Sequence, residues 1–173
     1  MGIPSYFKKI HDDCPEVIIQ NIDMDYNNFL FLDLNCAIHP CCNKMSSDYK
    51  KSKNDYCETK MINSVLNYIE KLVKIVNPVL LYIAIDGVAP LAKMRQQRLR
   101  RFKNIVDKRN DLELKKRLKM VDEETECWDT NSISPGTLFM NKLDASIKTF
   151  IDNNRTLRNI EVIFNPCSVS GEG

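Results

Sequence analysis

The chain has 173 residues, 43% of them hydrophobic, which suits one domain with a core of its own. No apolar run approaches the ~20 residues that span a bilayer, and Met1 to Tyr6 lacks the basic-then-apolar order of a secretory leader. The net charge of +2 hides a segregation: Lys93 to Lys119 holds twelve Lys or Arg against Asp107, Asp111 and Glu113, a local +9 that leaves −7 elsewhere. Such asymmetry predicts a polyanion at one face, while the lack of an apolar span or leader pattern predicts a reducing interior compartment, the cytoplasm or else the nucleus. Gly2 invites a myristoylation reading, but Tyr6 stands where that motif wants Ser or Thr. The seven cysteines are odd in number and irregularly spaced, unlike a secreted disulfide framework.

In chain order, Pro4 to Ile10 reads as a short helix with Tyr6, Phe7 and Ile10 on its inner side. Phe29 to Leu34 is an apolar run interrupted by Asp33, the pattern of a buried strand delivering an acid to a loop. A polar excursion is expected at about 41–56, rich in Lys, Ser, Asn and Asp. From Lys60 to Val76 the apolar residues keep helical spacing, and Pro78 closes that helix. Val79 to Ile85 is a second buried strand, ending in Asp86-Gly87. Pro90 suits a helix start, and a basic helix is expected at about 90–120. A further helix starts near Ser134-Pro135-Gly136-Thr137, with Leu138, Phe139, Leu143, Ile147, Phe150 and Ile151 on its apolar face. Ile160 to Phe164 is a third strand, leading toward Glu172. Trp128, the single tryptophan, reads as a core or loop anchor.

Strands alternating with helices predict an α/β fold, a mostly parallel sheet flanked by helices. Ligands of such sheets gather beyond the carboxyl ends of the strands, where Asp33, Asp86 and Glu172 fall. Clustered carboxylates suit Mg²⁺, a hard cation that takes oxygen ligands; equally, an Asp after a strand often only caps a loop. On the basic helix, Lys93, Gln97, Arg100 and Arg101 fall at i, i+4, i+7 and i+8, which is one face. Twelve cations in so short a stretch repel one another unless an anion relieves them, and arginine forks match phosphate oxygens. A solvated charged surface is the alternative. His39 could be a buried imidazole, a metal ligand or a ring for a base to stack on. With Cys41 and Cys42 it raises zinc, although no paired C-x-x-C supports that.

Several blocks then resemble one family in order: Met1-Gly2-Ile3-Pro4-Ser5-Tyr6-Phe7, Leu32-Asp33-Leu34-Asn35 with Ile38-His39-Pro40-Cys41, and Ile85-Asp86-Gly87-Val88-Ala89-Pro90 with Ala92-Lys93-Met94. Gln96-Gln97-Arg98, Arg100-Arg101-Phe102 and Ile133-Ser134-Pro135-Gly136-Thr137 with Phe139-Met140 continue the register. They are similar to the Xrn family of 5′-to-3′ exoribonucleases, and Gly171-Glu172-Gly173 resembles the opening of its Gly-Glu-Gly-Glu-His motif. The resemblance covers the whole chain and implies the N-terminal portion of a Rossmann-like nuclease domain of the PIN and flap-nuclease type.

By that resemblance Asp33, Asp86 and Glu172 are three of seven acids holding two Mg²⁺ ions, with Mn²⁺ as a substitute. Lys93, Gln97, Arg100 and Arg101 form the pocket for the 5′-monophosphate of single-stranded RNA, and His39 stacks on the first base. The family degrades such RNA processively to 5′-mononucleotides. Cys36 stands where the family has Gly, Leu91 where it has Arg and Arg95 where it usually has Asn. The other four acids are expected beyond Gly173, so this segment alone is expected to be inactive or very weak without the remainder of the nuclease domain. The alternatives are a non-catalytic binder of RNA 5′ ends and a flap- or PIN-type structure-selective nuclease.

Overall fold

The computed structural model describes residues 3, 5–18, 28–46, 54–118 and 128–171. Three parallel strands, β1 (Phe29–Asp33), β2 (Leu80–Ala84) and β3 (Glu161–Asn165), form a sheet in the order β1-β2-β3. Phe31 pairs with Tyr82 and Tyr82 with Ile163, so the strand ends lie level, with Asp33 beside Ala84 and Ala84 beside Asn165. Parallel neighbours need long crossovers. The first runs through α2 (Asn35–Ser46) and α3 (Asn54–Val76), the second through α4 (Leu91–Arg117) and α5 (Leu138–Asn153). The α/β architecture with a parallel sheet is the one the alternation of elements predicts.

One core lies between the sheet and α2, α3 and α5. Met61, Val65, Ile69 and Val73 recur every fourth residue along α3, all but sealed from solvent, and meet Leu81 and Ile83 of β2. Phe139, Met140, Leu143 and Ile147 of α5 complete it, and Trp128 sits edge-on against Phe139 with ring centroids 4.9 Å apart. Asn77 closes α3 with φ 46°, and its N–H returns to the Val73 carbonyl at 2.8 Å. That left-handed cap is one that Asn tolerates. Thr137 caps α5, its hydroxyl oxygen accepting from the Met140 N–H at 3.3 Å.

Three expectations change. The polar excursion is narrower than 41–56: Cys41 to Met45 belong to α2, and Cys41 and Cys42 are buried against α3, while 47–53 lies outside the described residues. Cysteine packs as a small hydrophobe, and burial against α3 outweighs the weak helical character of the segment, Pro40 included. The N-terminal helix, α1 (Tyr6–Asp13), turns no apolar side chain fully inward: Tyr6 and Phe7 are exposed, and its main partner is the 3₁₀ turn Pro15–Val17. Periodicity shows that an apolar face exists but not what covers it. Lastly, β1 and β2 read as buried strands, yet Phe29 and Phe31 of β1 are exposed and Leu80 and Tyr82 of β2 are only half-buried among the described residues, with Ile163 of β3 exposed as well.

Candidate functional site

The level strand ends put the first two predicted acids close together. Asp33 is the last residue of β1, and the Leu34 N–H donates to the Ala84 carbonyl at 2.9 Å, holding the loop after β1 against the end of β2. Asp86 follows two residues past β2, after Ile85, whose N–H donates to Asn165 of β3 at 3.0 Å. The Asp33 side chain accepts the Asn35 N–H at 3.2 Å through Oδ1 and the Cys36 thiol at 3.6 Å through Oδ2. The Cys36 thiol is raised above its ordinary pKa, first by the charge of Asp33, then by burial and its hydrogen bond to Asp33, and further by the charge of Asp86. Both carboxylates therefore act on one sulfur.

The third predicted acid, Glu172, lies outside the described residues, but the backbone leading to it is fixed. The Gly87 N–H donates to the Gly171 carbonyl at 3.0 Å and the Gly171 N–H to the Val88 carbonyl at 3.3 Å. Residues 166–171 press so closely on Gly87 that a Cβ there would lie 1.6 Å from the Val169 carbonyl oxygen. Glu172 is thus next in sequence to a residue bonded beside Asp86.

The basic helix carries a pattern that charge counting missed. Along all 27 residues of α4 none is buried, and the half-buried ones are Lys93, Gln97 and Arg101, at i, i+4 and i+8. An ordinary amphipathic helix turns Leu or Ile inward. This one turns inward two cations and an amide. Lys93, Gln97 and Arg100 line a recess of about 540 Å³ together with Gln96, Leu99 and Lys103. Arg101 is not on that lining, so the four predicted residues divide, three in the recess and one beside it.

Arg100 also reaches the neighbourhood of His39, which is on α2. The His39 pKa is lowered, first by burial and then by the charge of Arg100. The imidazole is accordingly neutral at neutral pH, and as pH falls below about 6.5 the unfolded chain takes up its proton more readily than the folded one, so acidification costs stability there. Arg100→Ala is expected to move the His39 pKa upward part of the way, since burial remains; proton NMR titration of the ring measures it. An unchanged pKa would separate Arg100 from His39.

The family model described as XRN 5′-3′ exonuclease N-terminus matches residues 1–173, the full chain. The chain belongs to the Xrn family. Among its curated relatives are the 5′-3′ exoribonuclease 1 of Schizosaccharomyces pombe, 38% identical over 180 residues, and that of Saccharomyces cerevisiae, 36% identical over 182. The 5′-3′ exoribonuclease 2 homolog of Drosophila melanogaster is 36% identical over 212 residues. Each alignment takes in 100% of this chain but only 13%, 12% and 23% of those proteins.

The side chains of this Xrn segment suit a divalent cation at the strand ends in chemistry, since Asp33 and Asp86 offer hard oxygen donors. The negative field that keeps Cys36 protonated is one that a cation would neutralise. Among the described residues, no three His, Cys, Asp or Glu side chains come together as a metal-holding group. Two residues of this Xrn site escaped the sequence reading. Asn35 has a buried amide nitrogen without a hydrogen-bond partner among the described residues, directly after Leu34 at the end of β1. Gly87 was legible only as part of an Asp-Gly turn, whereas its role is to admit the chain before Glu172.

Proposed function

We propose that this chain carries the end-reading helix and part of the metal site of a 5′-to-3′ exoribonuclease acting on 5′-monophosphorylated single-stranded RNA. The observation that carries the reading is the inward stripe of α4, Lys93, Gln97 and Arg101, with Arg100 on the adjoining recess, starting seven residues after Asp86. A guanidinium and an ammonium on this stripe suit a phosphate, to which arginine donates in pairs and lysine as a point charge. These side chains place several phosphate donors on one side of α4, and a preference for a terminal monophosphate over a cap or triphosphate is part of the proposal. The neutral imidazole of His39, close enough to feel Arg100, offers a flat face on which the first base can stack.

Asp33, Asp86 and Glu172 would hold Mg²⁺, or Mn²⁺ in its place, completed as a two-ion site by acids of the remaining nuclease domain. Bound there, the ions would activate water and steady the leaving oxygen, so that 5′-mononucleotides are released. Asp33 keeps its carboxylate aimed through its bonds to Asn35 and Cys36. Three carboxylates do not complete that site, so the 173-residue chain alone binds 5′ ends but degrades RNA weakly or not at all. Its setting is the cytoplasm or the nucleus, wherever decapped or cleaved RNA presents a 5′-monophosphate.

The test is the affinity of the chain for one RNA oligonucleotide with a 5′-monophosphate, a 5′-hydroxyl or a 5′-triphosphate, read by fluorescence anisotropy. The monophosphate is expected to bind best. Arg100→Ala or Arg101→Ala each removes a charge-assisted contact worth about 1.5–3 kcal/mol, so the preference over the hydroxyl end should fall by roughly 10- to 100-fold. Equal affinity for all three ends in the wild type, or a preference unchanged in Arg101→Ala, defeats the reading.

A further inference from the structure

The carboxylate of Asp144 on α5 is buried, 7% exposed. No cation pairs with it among the described contacts. Instead its two oxygens accept the Cys167 N–H at 3.1 and 3.4 Å, and one of them accepts the Cys167 thiol at 3.0 Å. Cys167 is itself 2% exposed, and burial followed by the bond to Asp144 pushes its thiol up to about 11, so it remains a protonated donor. A buried charge is costly unless its hydrogen bonds are made, and here they are made to one residue of one short segment.

That segment is the one clamped at its other end by Gly87. Pro166 to Gly171 is held at its start by Asp144 through Cys167, and at its finish by the reciprocal backbone bonds of Gly171 with Gly87 and Val88. The missing Cβ of Gly87 lets the carbonyls of Cys167 and Val169 lie against the chain that carries Asp86. Glu172 follows immediately. We infer that Asp144 is a positioning residue: through Cys167 it fixes residues 166–171, the chain that leads to Glu172, against Gly87 and so beside the chain that carries Asp86. The inference rests on the reading of Asp33, Asp86 and Glu172 as metal ligands. It adds a residue that touches neither metal nor RNA. The two oxygens of Asp144 match the two donors of Cys167, which explains a carboxylate in a helix position that otherwise faces the core.

The experiment measures Mn²⁺ affinity of the full-length polypeptide by electron paramagnetic resonance, with thermal unfolding followed alongside. Asp144→Ala is expected to weaken Mn²⁺ binding by about tenfold, the lower end of what loss of a residue behind the ligands costs. Asp144→Asn keeps an oxygen for the Cys167 N–H and should restore the affinity to within about twofold of wild type. If Asp144→Ala does not fold, Asp144→Ser shortens the same contact with a smaller cavity and should show the same loss. A folded Asp144→Ala or Asp144→Ser protein with wild-type Mn²⁺ affinity overturns the positioning role and leaves the metal reading standing. A wild-type protein that binds no Mn²⁺ overturns the metal reading, and the positioning role with it.

Discussion

Gly87→Ala is expected to lower the melting temperature of the chain by roughly 5–15 °C. The new Cβ would sit 1.6 Å from the Val169 carbonyl oxygen, 2.7 Å from its carbonyl carbon and 3.3 Å from the Cys167 oxygen. Each of these is backbone, so no side chain can swing aside. Gly87 is not among the positive-φ glycines, which means that alanine could adopt its backbone angles and that the obstruction is purely one of space. Relief requires residues 166–171 to lift, breaking the bonds Gly87 makes with Gly171 and Gly171 makes with Val88. Overpacking and the lost bonds together cost about 2–4 kcal/mol, and each kcal/mol moves the midpoint by about 2–4 °C in a domain of this size. Thermal unfolding followed by circular dichroism decides it. A midpoint within 2 °C of wild type would mean that the segment before Glu172 is not seated on Gly87.

Asp86→Ala should reduce hydrolysis of 5′-monophosphorylated RNA by the full-length polypeptide by about 10³-fold or more while leaving RNA affinity within about threefold. A carboxylate that fixes a catalytic ion carries several kcal/mol of transition-state stabilisation, and each 1.36 kcal/mol is tenfold in rate. Affinity is expected to survive because the groups proposed to read the RNA end, Lys93, Gln97, Arg100 and Arg101, are on α4 and separated from Asp86 by the turn through Pro90. Mononucleotide release in Mg²⁺, measured against filter binding of the same RNA, separates the two quantities. Substantial turnover in Asp86→Ala would remove Asp86 from the metal site. A parallel loss of binding would show that the carboxylate orders the helix as well.

Much of the architecture could be read from the chain because the strands are short apolar runs and α3 repeats its core residues at every fourth position. Met61 to Val73 declares itself by its helical period, and Leu80 to Ala84 as a short apolar run bounded by Pro78 and Asp86-Gly87. The Asp at the end of one such run and just past another were visible for the same reason. What stayed hidden depends on contacts between distant segments. Cys41 and Cys42 look polar or metal-seeking in sequence and are core residues of α2, because α3 lies over them. Phe7 has the spacing of a core residue and is exposed. For the candidate site, helical geometry placed Lys93, Gln97, Arg100 and Arg101 on one side of α4, but it could not divide the half-buried Arg101 from the exposed Arg100. The close packing at Gly87 and the bonds of Asp144 were invisible, since each is defined by contact with residues 166–171.

The exposure of α4 has a consequence for how firmly each half of the candidate site is held. A helix with no buried side chain, tied to the rest by contacts such as the 3.2 Å bond from Lys108 to Thr130, opens at a small fraction of the global unfolding cost. The central strand β2, paired on both sides, opens only when the whole domain does. Asp86 thus follows directly on a strand that opens only with the whole domain, whereas Lys93, Gln97, Arg100 and Arg101 are carried on a helix that can open locally. Amide hydrogen exchange is expected to be slower in β2 than in α4.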